Sequence, residues 1–319
     1  MEKMFEKNNM FGDDIARMER YDFSRANLNE ENRVYAITKV ASICYQNPKA
    51  LNSDALYNRL MAESIGLPSS SFEFIPILIP WVRLHDMVRW EKGYDFTILN
   101  MVKYGMWIDV DGDKALITNY RALVYDVSAE KIPEQYLKYF NTEEECDIIK
   151  EYIFTFLFKI DLNTRSQMVR HRSQFQEVSR RYVSGNKVPF TFYISNKMKN
   201  VRATISRDVL TESISDTDDM DNMTSGSFVS NKATFSIGAQ DLIDMSLSLY
   251  EQSLKAGVKP EEARRFIPQA AYTDIWMSMN KDQLDNYLKL RLCKTAQWEI
   301  RQTAIAITES IGMEGKYER

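Results

Sequence analysis

The chain has 319 residues, of which 44% are hydrophobic and 27% are charged, and its formal net charge at pH 7 is -4. A chain of this length can bury a sizeable core as one large domain or two, and no run of apolar residues approaches the eighteen that a membrane-spanning helix requires. The three cysteines are scattered and the N-terminal residues have no apolar signal region, so we expect a cytoplasmic protein without disulfides.

The first half of the chain alternates between helical and extended patterns. Ser53 precedes a run with helical spacing and Gly66 follows it, which marks the two ends of a helix. Asp111-Gly112 between two apolar alternations predicts a hairpin turn. The predicted elements are, in chain order, a helix over 30–45, a helix between Ser53 and Gly66, a strand over 72–82, and hairpin strands over 107–110 and 115–118.

The second half is richer in helix. Thr142 and Glu145 have the spacing of a capping box. Pro260 suits the first turn of a helix, Asn280 suits an N-cap, and Gly312 ends the last helix. The other predicted elements are a buried strand over 154–160, a helix over 163–172, a strand over 190–195 and a mobile acidic loop over 211–231. We therefore predict an α+β fold: a central, twisted, mostly antiparallel sheet flanked by helices, with a helix-rich C-terminal half.

The sequence lacks the motifs of several common types of enzyme and ligand site. The eleven glycines form neither Gly-x-Gly nor Gly-x-x-x-x-Gly-Lys, so a Rossmann crevice or a P-loop is not supported. There is no Gly-x-Ser-x-Gly elbow of a serine hydrolase. Two histidines without a Cys-x-x-Cys pair argue against a metal site. A phosphate-bearing ligand must then be bound by arginine side chains and not by a glycine-rich loop.

Positive charge is concentrated between Gln167 and Val183. Four arginines and one of the two histidines lie in this segment, opposed by a single acid, Glu177. Because like charges repel and a buried guanidinium must be paired, we expect an anionic ligand here. A small molecule with a phosphate group is favoured over a nucleic acid, since the chain as a whole is acidic.

The same segment resembles the signature of the flavin-dependent thymidylate synthases, the ThyX family. It reads Gln-x-x-Arg-His-Arg from Gln167 to Arg172 and Glu-x-Ser-x-Arg-Tyr from Glu177 to Tyr182. Residues 261–301 resemble further blocks of that family in the same order: Ala-Arg-Arg-Phe-Ile-Pro, Trp-Met-Ser-Met-Asn, Leu-Lys-Leu-Arg-Leu and Ala-Gln-Trp-Glu-Ile-Arg. A weaker similarity is Ser-x-x-Glu at Ser70 and Glu73.

This resemblance implies a nucleotide site and a flavin site. The residues implied around dUMP are Gln167, Arg170, Glu177, Ser179, Arg180, Arg181, Arg264 and Arg291. The residues implied around FAD are Ser70, Glu73, Arg170, His171, Arg172, Glu177, Asn280, Asp282 and Asn286. Arg291 is the expected catalytic residue, because a fixed cation at the uracil edge stabilises negative charge that develops on the ring.

The implied reaction converts dUMP, methylenetetrahydrofolate and NADPH to dTMP, tetrahydrofolate and NADP. FAD would perform the redox step, and the protein would supply orientation and charge. The resemblance also implies one catalytic domain over residues 1–319 and a homotetramer with shared active sites. Neither a nucleic-acid partner nor a membrane partner is implied.

The chain departs from the family pattern at several points. Six residues separate Arg172 from Ser179 where the family has seven, and Gln174 and Gln176 stand where the family has Ser and Asn. The shorter turn leaves open a related flavoenzyme that hydroxymethylates dUMP or otherwise modifies C5 of a pyrimidine nucleotide. A noncatalytic nucleic-acid-binding protein is the second alternative. Residues 75–151 have no counterpart in compact members of the family, and we expect them to form an insertion packed on the outside.

Overall fold

The computed structural model describes residues 17–62, 69–84, 101–124, 137–181, 183, 185, 190–194, 198, 200–213 and 227–317. The chain divides into two compact units. The first unit is formed by Met1–Tyr193 together with Gln269–Arg319, and the second unit is Ile194–Pro268.

Helices and strands alternate along the described residues. The strands are β1 Arg17–Tyr21, β2 Pro76–Pro80, β3 Met106–Val110, β4 Asp113–Asn119, β5 Ile153–Asp161, β6 Gln174–Glu177, β7 Arg202–Ser213, β8 Ser227–Gly238 and β9 Tyr272–Asn280. The α-helices are α1 Glu30–Tyr45, α2 Asp54–Ala62, α3 Tyr120–Val124, α4 Glu143–Tyr152, α5 Leu162–Met168, α6 Ala239–Lys255, α7 Pro260–Ala263, α8 Lys281–Arg291 and α9 Trp298–Ser310. Short 3₁₀ helices cover Pro48–Ala50, Ser70–Phe74 and Arg264–Phe266.

A four-stranded antiparallel sheet in the order β1-β5-β9-β6 organises the first unit. Successive side chains of β9 point to opposite faces of this sheet, and both faces are buried. Trp276 packs in a core with α1, whereas Met277 packs in a second core with α8 and α9. The prediction of an α+β fold with a central antiparallel sheet flanked by helices is confirmed.

A second antiparallel sheet, in the order β2-β4-β3, is built from the predicted insertion. Its hairpin turns at Asp111 and Gly112, whose φ angles of 53° and 92° suit a type I′ turn, as the sequence predicts. The expectation that this segment packs on the outside does not hold for one group of its described residues. Ile77, Leu116 and Tyr120 are fully buried in the same core as Trp276. The bounds of the insertion, 75–151, stay a prediction.

Local capping signals are accurate along the chain. The helix predicted over 30–45 is α1, and Thr142 and Glu145 form a complete capping box at the start of α4. Asn280 caps α8 in a capping box with Gln283. Gly312, with a φ of 66°, follows the end of α9.

Several predicted elements differ from the structure. The strand predicted over 72–82 begins as the 3₁₀ helix Ser70–Phe74, and only Pro76–Pro80 is extended. The described ends of the acidic segment predicted as a loop over 211–231 are paired strands and not loop. Residues 211–213 and 227–231 belong to the paired strands β7 and β8 of the second unit, and 214–226 lie outside the described residues, as do Gly66 and Ser195. None of the helices that the structure describes is long and apolar enough to span a bilayer.

Arg33 is a fully buried arginine that ties α1 to the segment before α4. Its Nε donates to Asn27 Oδ1 at 2.7 Å, and its two Nη groups donate to the carbonyl oxygens of Leu137 and Tyr139. The guanidinium also lies 4.1 Å from the centroid of the Tyr120 ring. No carboxylate among the residues that the structure describes bonds this charge, so the carbonyl groups and the aromatic face stabilise it.

Replacing Arg33 with methionine should lower the free energy of unfolding by about 3 kcal/mol or more, because buried carbonyl groups lose their donors. The measurement is equilibrium unfolding in urea. Arg25→Met is the matched control: Arg25 makes exposed ion pairs with Glu143 and Asp147, and its loss should cost below about 1 kcal/mol. Equal effects of the two substitutions would contradict the assigned role of Arg33.

Candidate active site

The basic motif lies on a turn and not on a helix. Asp161 caps α5, accepting from the backbone N–H of Thr164 at 2.8 Å, and the helix ends at Met168. The N–H of His171 then donates to the Met168 carbonyl oxygen at 3.1 Å. The predicted helix over 163–172 is therefore too long by about one turn. The turn leads directly into β6.

Pairing of β6 with β9 brings the two sequence blocks together. Because β9 continues into α8, the end of that helix lies beside the turn that carries His171. Arg291 Nε donates to His171 Nε2 at 2.7 Å, and Arg291 Nη2 donates to the carbonyl oxygen of Gln167 at 3.1 Å. Three predicted site residues from two separate blocks are thus joined by hydrogen bonds from Arg291.

His171 is held in its neutral form. Burial and, to a smaller extent, the positive charge of Arg291 together lower its pKa from 6.5 to about 4. Since an arginine can only donate, Nε2 of His171 must accept, and the proton of the neutral ring is on Nδ1. The ring meets Tyr287 edge-on, with the centroids 4.6 Å apart. Tyr287 is itself fixed by a 2.7 Å hydrogen bond between its hydroxyl and Thr303 Oγ1.

Glu177 has a partner that the motif did not predict. Arg165, on α5, donates to both carboxylate oxygens of Glu177, through Nε at 2.6 Å and through Nη2. This bidentate pair ties α5 to β6 across the turn. Arg165 stands just before the recognised motif, and only its position two residues ahead of Gln167 could have drawn attention to it. Glu177 is therefore engaged within the chain as well as being a predicted ligand residue.

A chain of polar contacts links β6 to the N-terminal block, the Ser-x-x-Glu motif of Ser70 and Glu73. Ser70 Oγ donates to Gln176 Oε1, and Gln176 Nε2 lies 2.7 Å from the sulfur of Cys44. The Cys44 thiol donates to the Glu177 carbonyl oxygen at 3.1 Å, and burial raises its pKa to about 11. The N–H of Ser179 donates to the Cys44 carbonyl oxygen at 3.3 Å. Gln176, a departure from the family pattern, is thus the residue that contacts Ser70.

A cavity of about 550 Å³ lies beside the basic turn, residues 169–173 between α5 and β6. Its wall combines predicted flavin residues with residues of the predicted insertion. The lining residues are Glu73, Lys103, Tyr104, Gly105, Asn119, Arg121, Ala122, Arg172, Ser173, Gln174, Asn280 and Gln283. Glu73 forms an ion pair with Arg121, which fixes the N-terminal block against the insertion. A volume of this size falls within the range of small-molecule pockets, roughly 300–1,000 Å³.

The remaining predicted residues do not line this cavity. Asp282 and Asn286 are exposed on α8, and Arg170 and Arg181 are exposed on the turn and after β6. The guanidinium of Arg180 lies 4.2 Å from the centroid of the Phe190 ring. Gln167 donates to Gln297 at the start of α9. Arg264 is exposed at the end of α7 in the second unit, whereas the other predicted site residues belong to the first unit.

Residues 107–313 match the family described as thymidylate synthase complementing protein. The match covers more than half of the chain and includes the basic turn, β6, β9 and α8. The chain belongs to this family. The match begins inside the predicted insertion, so part of that segment lies within the region that defines the family.

Individual relatives carry the name flavin-dependent thymidylate synthase. The chain is 30% identical to the protein of Aquifex aeolicus over 166 residues, 51% of this chain and 46% of that one. It is 30% identical to the protein of Thermotoga neapolitana over 158 residues, 49% and 60% of the two chains. A shorter match, 44% identical over 66 residues, joins it to the protein of Pyrococcus abyssi and covers 21% and 27% of the two chains. The matches thus span between about a quarter and three-fifths of these relatives' length.

The neutral state of His171 can be read directly by NMR. We expect the His171 Cε1–H resonance to titrate with a pKa near 4, and Arg291→Gln to raise that pKa because a neighbouring positive charge is removed. The chain has only two histidines, so His171→Gln assigns the resonance. Protonation of His171 opposes folding, so its contribution to stability is complete above pH 6.5 and is lost as the pH falls towards 4. A titration midpoint near 6.5 would refute the burial and the Arg291 contact.

Proposed function

We propose that this chain catalyses the FAD-dependent reductive methylation of dUMP to dTMP, with methylenetetrahydrofolate as carbon donor and NADPH as reductant. The observation that carries the proposal is the contact between Arg291 and His171. It joins the two blocks that resemble the flavin-dependent thymidylate synthases, and the family match supports the same reading.

The donor chemistry of the cavity beside the basic turn fits FAD. Arg172 supplies positive charge for phosphate oxygens, Asn280 supplies an amide, and Glu73 accepts hydrogen bonds. His171, neutral and protonated on Nδ1, keeps one donor for a ligand while its other nitrogen is held by Arg291. When bound, the reduced flavin would supply the electrons for methylation without an enzyme nucleophile.

The same turn supports a site for dUMP. Arg170 is exposed and has no ion pair with any residue that the structure describes, so its charge is free to meet a phosphate group. Arg291 is fixed by two hydrogen bonds, and a guanidinium held in this way stabilises negative charge on a uracil ring without reorganising during the reaction. Gln167, Glu177, Ser179, Arg180, Arg181 and Arg264 complete the proposed nucleotide set, and Ser70, Asp282 and Asn286 complete the proposed flavin set.

We also propose a cytoplasmic homotetramer whose subunits share active sites. The exposed positions of Asp282, Asn286 and Arg264 support sharing, because residues that do not line the cavity of their own chain remain available to another copy. Size-exclusion chromatography with light scattering gives the assembly state.

The proposed activity predicts a yellow purified protein that forms dTMP. The experiment incubates the chain with dUMP, FAD, NADPH and methylenetetrahydrofolate, and identifies the nucleotide product by mass spectrometry. A product carrying a hydroxymethyl group would replace the proposal with the hydroxymethylating alternative. A colourless protein that binds oligonucleotides in a salt-sensitive manner would favour a nucleic-acid-binding function.

Arg291→Ala should lower the rate of dTMP formation by about a hundredfold or more, because it removes a fixed cation from the reacting ring. Flavin binding should be retained within a few-fold. Lys289→Ala is the matched control on the same helix, since Lys289 is exposed and pairs only with Asp285 among the described residues. Turnover that is unchanged in Arg291→Ala would reject its catalytic role.

A further inference from the structure

Part of the cavity wall comes from the predicted insertion and is held rigidly in place. The fully buried side chain of Met101 anchors the short turn that carries Lys103 and Tyr104, and Thr118 Oγ1 donates to the Met101 carbonyl oxygen at 3.1 Å. Gly105 closes the turn against β4. A Cβ atom at Gly105 would lie 2.6 Å from both the Met101 carbonyl oxygen and Leu116 Cδ1, so the close approach requires glycine.

The second half of this wall is joined to the N-terminal block. The N–H of Tyr120 donates to the Ile75 carbonyl oxygen at 2.8 Å, which ties the start of α3 to the end of the 3₁₀ helix that carries Glu73. Arg121 then forms its ion pair with Glu73. The insertion is thus connected to the predicted flavin residue Glu73 by an ion pair, and the backbone hydrogen bond to Ile75 holds α3 next to the 3₁₀ helix that carries Glu73.

The cavity has an excess of positive charge. Lys103, Arg121 and Arg172 line it, against one carboxylate, Glu73, which is engaged by Arg121. Neither Lys103 nor Arg172 has an ion pair with any residue in the described ranges. Two cations therefore face the cavity without a counter-ion from this part of the chain, and phosphate groups are the anions that such a pair favours.

An aromatic ring stands next to these cations. Tyr104 lines the cavity with 55% of its surface exposed, and the Lys103 ammonium lies 5.1 Å from its ring centroid. Exposed aromatic rings stack on the planar bases of nucleotides, and cations alongside them bind the phosphates. Positive charge, carboxamide groups and the exposed ring of Tyr104 line one cavity, and this combination suits the binding of a nucleotide.

We propose that Lys103, Tyr104 and Arg121, all outside the motif blocks, bind the phosphate groups and a planar ring of a dinucleotide cofactor in this cavity. The proposal rests on the proposed function, which requires two dinucleotides, FAD and NADPH. Arg121 is held for this role by Glu73, and Lys103 is placed by the turn that Gly105 closes.

The test compares Lys103→Gln and Tyr104→Leu with the unchanged full-length chain. Titration with FAD and with riboflavin, followed by flavin fluorescence, gives two dissociation constants, and riboflavin lacks phosphate. The KM for NADPH is measured at saturating FAD. Lys103→Gln should weaken FAD binding by about tenfold and leave riboflavin binding unchanged. Tyr104→Leu should also weaken FAD binding by about tenfold.

Lys114→Gln is the matched control, because Lys114 is an exposed lysine of β4, in the same predicted insertion, that pairs with Asp109 and does not line the cavity. A rise confined to the KM for NADPH in Lys103→Gln would also support the proposal and would assign the site to the nicotinamide cofactor. Unchanged FAD affinity together with unchanged KM for NADPH in both variants would overturn it while leaving the proposed function intact. An unchanged chain that binds neither dinucleotide would overturn the proposed function, and this inference with it.

Discussion

The hydrogen bond between Arg291 and His171 is the interaction on which the candidate site depends. The two residues are 120 positions apart in sequence and meet because β9 pairs with β6 and then continues into α8. The contact fixes the position of the guanidinium and the ring nitrogen that carries the imidazole proton, and it adds to burial in keeping the imidazole neutral. A change in the register of β6 against β9 would separate the groups, so the sheet determines the chemistry of the turn.

Arginines in this chain fall into two groups with different partners. Arg33 and Arg165 are satisfied within the fold, the first by carbonyl oxygens and aromatic rings and the second by Glu177. Arg170 and Arg172 are exposed on the turn and have no ion pair with the described residues. Protein groups therefore offset the free-energy cost of placing the positive charges of Arg33 and Arg165. An anionic ligand is needed to offset the repulsion between Arg170 and Arg172.

The sequence predicts best those features that depend on neighbouring residues. The capping box at Thr142, the N-cap Asn280 and the hairpin turn at Asp111-Gly112 are decided by a few adjacent side chains and φ angles, and all three occur as predicted. Tertiary pairing decides the rest. The pairing of β7 with β8 could not be predicted from the acidic composition of residues 211–231, since these twelve-residue strands pair through backbone hydrogen bonds. The basic motif looked helical because charge patterns do not reveal where a short helix ends.

The sequence also could not predict that part of the insertion is buried, or that Arg165 is the partner of Glu177. Apolar residues such as Ile77 and Tyr120 show that a segment packs somewhere, but not that it shares a core with Trp276. Arg165 lies outside the motif, and its contact with Glu177 follows only from the packing of α5 beside β6. The family resemblance supplied the residue types of the site, and the fold supplied their contacts.

A crystal structure of the chain with FAD and dUMP tests the central claim most directly. The account predicts phosphate groups of FAD in the cavity between Glu73 and Arg172, and a uracil ring beside Arg291 with the Arg291–His171 hydrogen bond intact. A flavin bound away from that cavity, or a uracil ring remote from Arg291 in every copy of the assembly, would contradict it.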